Sequence, residues 1–108
     1  MPTFNGTEGS AISITTGAGY TRSFRTNYPN NKKAYFVGRD LLERLLAQTD
    51  AQGIRIYLGQ NIQDDGNIHI MTVLVAADSN QNDIVDICVD EAFPCPSNCD
   101  TNNSPLLK

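Results

Sequence analysis

The chain has 108 residues, 40% apolar and 19% charged, with four Tyr, four Phe and no Trp, which fits one small folded domain and excludes a wholly disordered chain. Its net charge of −4 and pI near 4.6 argue against general nucleic-acid binding, which requires a basic surface to neutralise phosphates. No apolar run reaches the roughly 18 to 20 residues of a membrane span, and the segment from Met1 to Gly6 lacks the basic and apolar regions of a signal peptide, so a cytoplasmic protein with no membrane partner is expected.

Residues 1–12, rich in Gly, Thr and Ser, read as a flexible lead-in to a single domain over 13–92. The first helix starts at a cap drawn from Ser13, Thr15 or Thr16. Tyr20, Phe24 and Tyr28 then recur every four residues as an apolar stripe, with Arg22 and Arg25 turned away, and Pro29 stops the run. A polar turn over Asn30 to Lys33 leads into the clearest element, an amphipathic helix within Phe36 to Gln48. With Gly38 as its N-cap, Val37 and Leu42 fall at the two positions of a hydrophobic staple, and Leu41, Leu42, Leu45 and Leu46 line one side. Arg39 with Glu43 and Asp40 with Arg44 are spaced for ion pairs on the other side.

Beyond Gly53 the period changes from helical to two. Ile54, Ile56 and Leu58 are expected to face inward, with Arg55 and Tyr57 on the opposite face. A polar hairpin loop from Gly59 to Asn67 precedes a strand from Ile68 to Ala77, whose Val73-Leu74-Val75 is apolar on both faces and so suits a central position. After a turn over Asp78 to Asp83 comes a third strand, Ile84 to Val89, with Val85, Ile87 and Val89 on one face. The fold class is α+β: a small two-layer domain with two helices on a three-stranded, or larger, antiparallel sheet. An irregular tail over 93–108, rich in Pro, Cys and Asn, is expected to fold back and cover an exposed sheet edge.

Charge is unevenly divided. Before residue 63 the cations Arg22, Arg25, Lys32, Lys33, Arg39, Arg44 and Arg55 outnumber Glu8, Asp40, Glu43 and Asp50; after it, eight acids face only Lys108. Such a division favours packing of the halves or association of two copies, although separate solvated faces give the same count.

Several segments together, Tyr20-Thr21-Arg22-Ser23-Phe24-Arg25, Gly38-Arg39-Asp40-Leu41-Leu42-Glu43-Arg44-Leu45-Leu46-Ala47-Gln48, Gly53-Ile54-Arg55-Ile56-Tyr57 and Phe93-Pro94-Cys95-Pro96-Ser97-Asn98-Cys99, resemble a family of short, functionally uncharacterised bacterial proteins common in Bacteroidota. The likeness runs over residues 12–106 and implies a single bacterial domain; it brings no catalytic residue and no cofactor.

The residues able to carry chemistry are few. Cys95 and Cys99 are separated by three residues, not the two of a thioredoxin-like pair; Asp90, Glu91 and Asp100 nearby raise a thiol pKa, and a local disulfide suits an oxidising setting. Cys88, Cys95, Cys99 and the only histidine, His69, have the donor types of a zinc site but no Cys-x2-Cys knuckle. The turns Asp78 to Asp83 and Asn61 to Ile68 lack the Gly and bidentate Glu, or the carboxylates, of a calcium loop. No serine or cysteine elbow accompanies His69, and no dinucleotide fingerprint follows a strand. No cofactor is therefore implied. Two readings remain. One is a non-catalytic binding or assembly module, acting as a homo-oligomer or on a protein partner through the sheet face of Arg55, Tyr57, His69, Met71 and Val73. The other is a thiol- or metal-dependent enzyme or sensor using the C-terminal cysteines. The first is favoured.

Overall fold

The computed structural model describes residues 3–62, 64–90 and 93–108. The expected domain boundary at residue 92, Glu91, the first two residues of the lead-in and Gln63 of the hairpin loop lie outside the described residues. The architecture is α+β. Helix α1 (Ile14–Asn27), strand β1 (Ala34–Phe36), helix α2 (Arg39–Leu46), strands β2 (Gly53–Ile62), β3 (Ile68–Ala77), β4 (Asp83–Val89) and β5 (Phe93–Cys95), and a 3-10 turn (Pro105–Leu107) follow one another along the chain. The strands form an antiparallel sheet in the order β2-β3-β4 and a separate antiparallel ribbon of β1 with β5.

The core lies where α2 meets the sheet. Leu45, Leu74, Ala76 and Val89 are buried together, ringed by Val37, Leu42, Ala51, Ile54, Ile84 and Ile87. Gly38 is the N-cap of α2, and the staple residues Val37 and Leu42 both pack on this cluster. Neither Arg39–Glu43 nor Asp40–Arg44 closes into an ion pair among the described residues. The central strand is buried on both faces from Leu74 to Ala77. Its second face is covered by the start of the chain, where Phe4 donates its N–H to the Ser79 carbonyl (3.0 Å) and its ring lies 5.4 Å from the Arg55 guanidinium. Glu8 closes that segment by accepting from the Asn5 and Gly6 amides.

Strands β2 and β3 pair without interruption from Gly53↔Ala77 to Ile62↔Ile68. The loop expected from Gly59 is thus shorter, because Gly59 to Ile62 continue the ladder, and Gly66 takes the positive φ of the tight turn (80°). Between β3 and β4 the register shifts from Leu74↔Val89 to Ala76↔Ile84. The bulge corrects the expected facing of β4: Ile84, Ile87 and Val89 all reach the core while Val85 is turned out to solvent.

Helix α1 is capped by Ser13, whose Oγ accepts from the Thr16 amide at 3.0 Å. Its stripe is used differently from expectation. Tyr20 and Tyr28 are exposed, and the buried residue is Ala18. The helix packs on the C-terminal 3-10 turn: Gly17 lies beside Leu106, Arg25 Nη1 donates to the Leu106 carbonyl (2.6 Å), and Arg22 Nε and Arg25 Nη2 donate to that of Lys108. The arginines that helical periodicity turns to solvent are held by carbonyls at the chain end. Nor is the tail irregular throughout, since β5 pairs with β1 and Ser104 caps the 3-10 turn. The edge that β5 covers belongs to β1, not to the three-stranded sheet.

Candidate functional site

Alternation along the β2–β3 hairpin sorts its side chains into two faces. Arg55, Tyr57, Met71, Val73 and His69 share one face, as the pairs Tyr57↔Val73, Gly59↔Met71 and Asn61↔His69 require. That face is largely used inside the molecule. Arg55 and Tyr57 both bond to the Asp83 carboxylate, Arg55 Nη2 also reaches the Gln81 carbonyl at 3.1 Å, and the Arg55 guanidinium sits over Phe4. The Tyr57 hydroxyl, and then the Arg55 charge, hold the Asp83 carboxyl below the usual range, while the carboxylate pushes the Tyr57 phenol up and Arg55 up.

His69 is a correction to the expected interface. It is 1% exposed, and its Nε2 faces both Asp65 carboxylate oxygens at 3.0 and 2.8 Å. Asp65 also accepts from the Asn67 amide, which with His69 lowers its pKa. The other ring nitrogen, Nδ1, is buried with no hydrogen-bond partner among the described residues. A carboxylate behind an imidazole orients a base, but among the described residues no hydroxyl or thiol is bonded to this ring.

The zinc set is not assembled. Cys95 and Cys99 are bonded to each other across a turn that Asn98 closes by donating its N–H to the Pro94 carbonyl (2.9 Å), and Cys88 is a free, exposed thiol. Among the described residues no three His, Cys, Asp or Glu side chains gather as a metal site. The turn at Asp78 is filled by its own backbone, since Asp78 Oδ1 accepts from Asn80 and Asn82 at 2.9 Å.

The other hairpin face holds Ile54, Ile56, Leu58, Gln60 and Ile62 on β2 and Ile68, Ile70, Thr72, Leu74 and Ala76 on β3. Only its end beside α2 is buried. The expectation that Ile56 and Leu58 point into the core is overturned: Ile56 is 60%, Leu58 77%, Ile62 70% and Ile68 61% exposed. The reason is length. Eight helical residues span about 12 Å, whereas ten strand residues span about 33 Å. Across this face from α1 runs a groove of about 470 Å³, walled by Tyr20, Phe24 and Tyr35 on one side and Ile56, Leu58 and Ile70 on the other.

Two side chains that sequence reading passed over finish the sheet. Past the end of β4 the outer edge of β3 is met by Asn31, whose Oδ1 accepts from the Ile70 amide (3.0 Å), and by Tyr35, whose hydroxyl donates to the Ile70 carbonyl (2.9 Å). Burial pushes the Tyr35 phenol up. The whole chain exposes 7799 Å², where a folded monomer of 11.8 kDa exposes about 5,900 Å², and its radius of gyration of 15.5 Å compares with about 13 Å for this length.

No helix among the described residues is long and apolar enough to cross a membrane. No known protein family, curated protein or solved structure matches the chain.

Proposed function

We propose that the chain is a small non-catalytic assembly module, which works by burying the helix-side face of the β2–β3 hairpin against a protein surface, in the first instance that of a second copy. The observation that carries this reading is the exposure of Ile56, Leu58, Ile62 and Ile68 on one face of the β2–β3 hairpin. Isolated apolar side chains are ordinary on a surface, whereas a continuous patch marks an interaction site. The hairpin residues of the patch include no acid or base, and Arg25, Lys32 and Lys33 line only the groove beside it; its apolar character favours a protein partner. The opposite face supports association less well, because Arg55 and Tyr57 are engaged by Asp83 and His69 is buried. The Cys95–Cys99 bond is of the kind an oxidising compartment maintains, and assembly through the hairpin does not involve it.

Sedimentation velocity of the intact chain from about 1 to 100 μM tests the reading, a range in which micromolar association is visible. A monomer–dimer shift is expected, weakened at least about tenfold by Ile56→Ser with Leu58→Ser through the lost apolar burial. A monomer at every concentration, or a dimer indifferent to both changes, overturns it.

A further inference from the structure

The hydrogen bonds at Ile70 fix which way the β2 backbone points. Both its N–H and its C=O are taken by Asn31 and Tyr35, on the side of β3 away from β2. The pair Ile70↔Gln60 is therefore a non-hydrogen-bonded one, and since such pairs alternate along an antiparallel ladder, the residues bonded to β3 are Arg55, Tyr57, Gly59 and Asn61. Ile54, Ile56, Leu58 and Gln60 direct their N–H and C=O outward, to the free edge of the sheet. Among the described residues no hydrogen bond reaches these outward groups. The residues with unpaired backbone include those whose side chains make the exposed apolar patch.

Proteins guard a free edge with lysine, proline, a bulge or a cover. Phe4, Gly6 and Glu8 lie beside its first residues, Gly53 to Arg55, but otherwise β2 is unguarded: Gly53–Ile62 contains no Pro or Lys, its only charge is Arg55, and its register is unbroken. The contrast with β3 is direct, because there the molecule closes the uncovered stretch with Asn31 and Tyr35.

We infer that β2 pairs antiparallel with β2 of a second copy about a two-fold axis, joining two three-stranded sheets into one of six strands. This rests on the self-association proposed above and moves the contact to the β2 border of the same patch, with Ile56 and Leu58 at the seam and Ile68 outside it. Self-pairing suits the strand. With the axis at Leu58, the leucines of the two copies meet, Ile54 faces Ile62 and Ile56 faces Gln60, all on the apolar side, while Arg55 faces Asn61 and Tyr57 faces Gly59 on the other. No like charges are opposed, and Arg55 keeps its own Asp83.

Hydrogen exchange and sedimentation on the intact chain test the geometry. Protection of the outward amides of Ile56, Leu58 and Gln60 should rise with protein concentration in step with dimer formation, because edge pairing alone bonds them. Leu58→Lys, which sets two cations against each other at the axis, should weaken the dimer by on the order of 100-fold or more. Ile68→Lys lies on the same face but on β3, away from the edge, and should leave the dimer within about threefold of the parent. A dimer whose outward amides exchange freely, or one broken equally by both lysines, overturns edge pairing and leaves assembly through the face standing. A monomer at all concentrations overturns both.

Discussion

Leu45→Ala is the sharpest probe of how α2 is held to the sheet. Leu45 is fully buried and meets Leu74, Ala76 and Val89 from the two strands beneath it. The substitution removes three carbons, about 2.4 kcal/mol of transfer free energy at about 0.8 kcal/mol each. The strands are held by their own ladder and cannot close on the space, so a cavity contribution brings the loss to about 3–4 kcal/mol. Against a total of about 5–15 kcal/mol for a domain, that is a large fraction, and the melting temperature should fall by about 15–25 °C. Urea titrations followed by circular dichroism measure it, at one fixed protein concentration because self-association adds to apparent stability. Leu46→Ala is the control, with the same change of helix propensity at a side chain that is 48% exposed, and should cost less than about 1 kcal/mol. The packing argument fails if Leu45→Ala costs under about 1 kcal/mol, or if the two variants are equally damaging.

Acid should destabilise the fold through its hydrogen-bonded carboxylates. Asp83, Asp50, Asp65 and Glu8 are all shifted down, led respectively by the Tyr57 hydroxyl, the Ser79 hydroxyl and the backbone amides of Asn67 and Asn5. A depressed folded pKa gives stability that is complete above the unfolded value and lost as pH falls through the folded one, so the urea midpoint should decline below about pH 4. Asp83→Asn should make that decline shallower, and an unchanged slope would remove the Arg55–Tyr57–Asp83 cluster from the account. Replacing Cys95 and Cys99 together with serine should lower thermal stability slightly and leave association unchanged, since the bond closes a turn that the Asn98–Pro94 hydrogen bond also closes; loss of association in that variant would move the thiols into the working surface.

Much of the fold was legible because its signals are local. Ser13 as one of three offered caps, the Gly38 start of α2, the staple of Val37 with Leu42 and the period-two run of Ile54, Ile56 and Leu58 each depend on a few neighbouring residues. What failed was assigning the isoleucine face to the interior. Periodicity states that Ile56 and Leu58 share a side; it does not state that anything covers them. The lengths did carry that signal, since an eight-residue helix cannot roof a ten-residue hairpin. The bulge that turns Val85 outward, Asn31 and Tyr35 on the edge of β3, and the arginines of α1 on the chain end all join residues far apart in sequence, and no local pattern announces them.

The two edges of the sheet differ in chemistry, and that difference decides whether pairing stops. β2 is apolar and nearly uncharged, whereas β4, at the other edge, carries Asp83 and Asp86 with Asp90 just beyond it. Two β4 edges would set acids against one another, and a β2 edge meeting β4 would leave those acids beside Ile56 and Leu58. Pairing of β2 with β2 about a two-fold axis would consume the apolar edge of the three-stranded sheet in each copy and leave acidic β4 at both ends, so it would close as a dimer where head-to-tail pairing would run on into a fibre. In such a dimer Asp86, with Asp90 just beyond β4, would stand at both outer edges and oppose further pairing there.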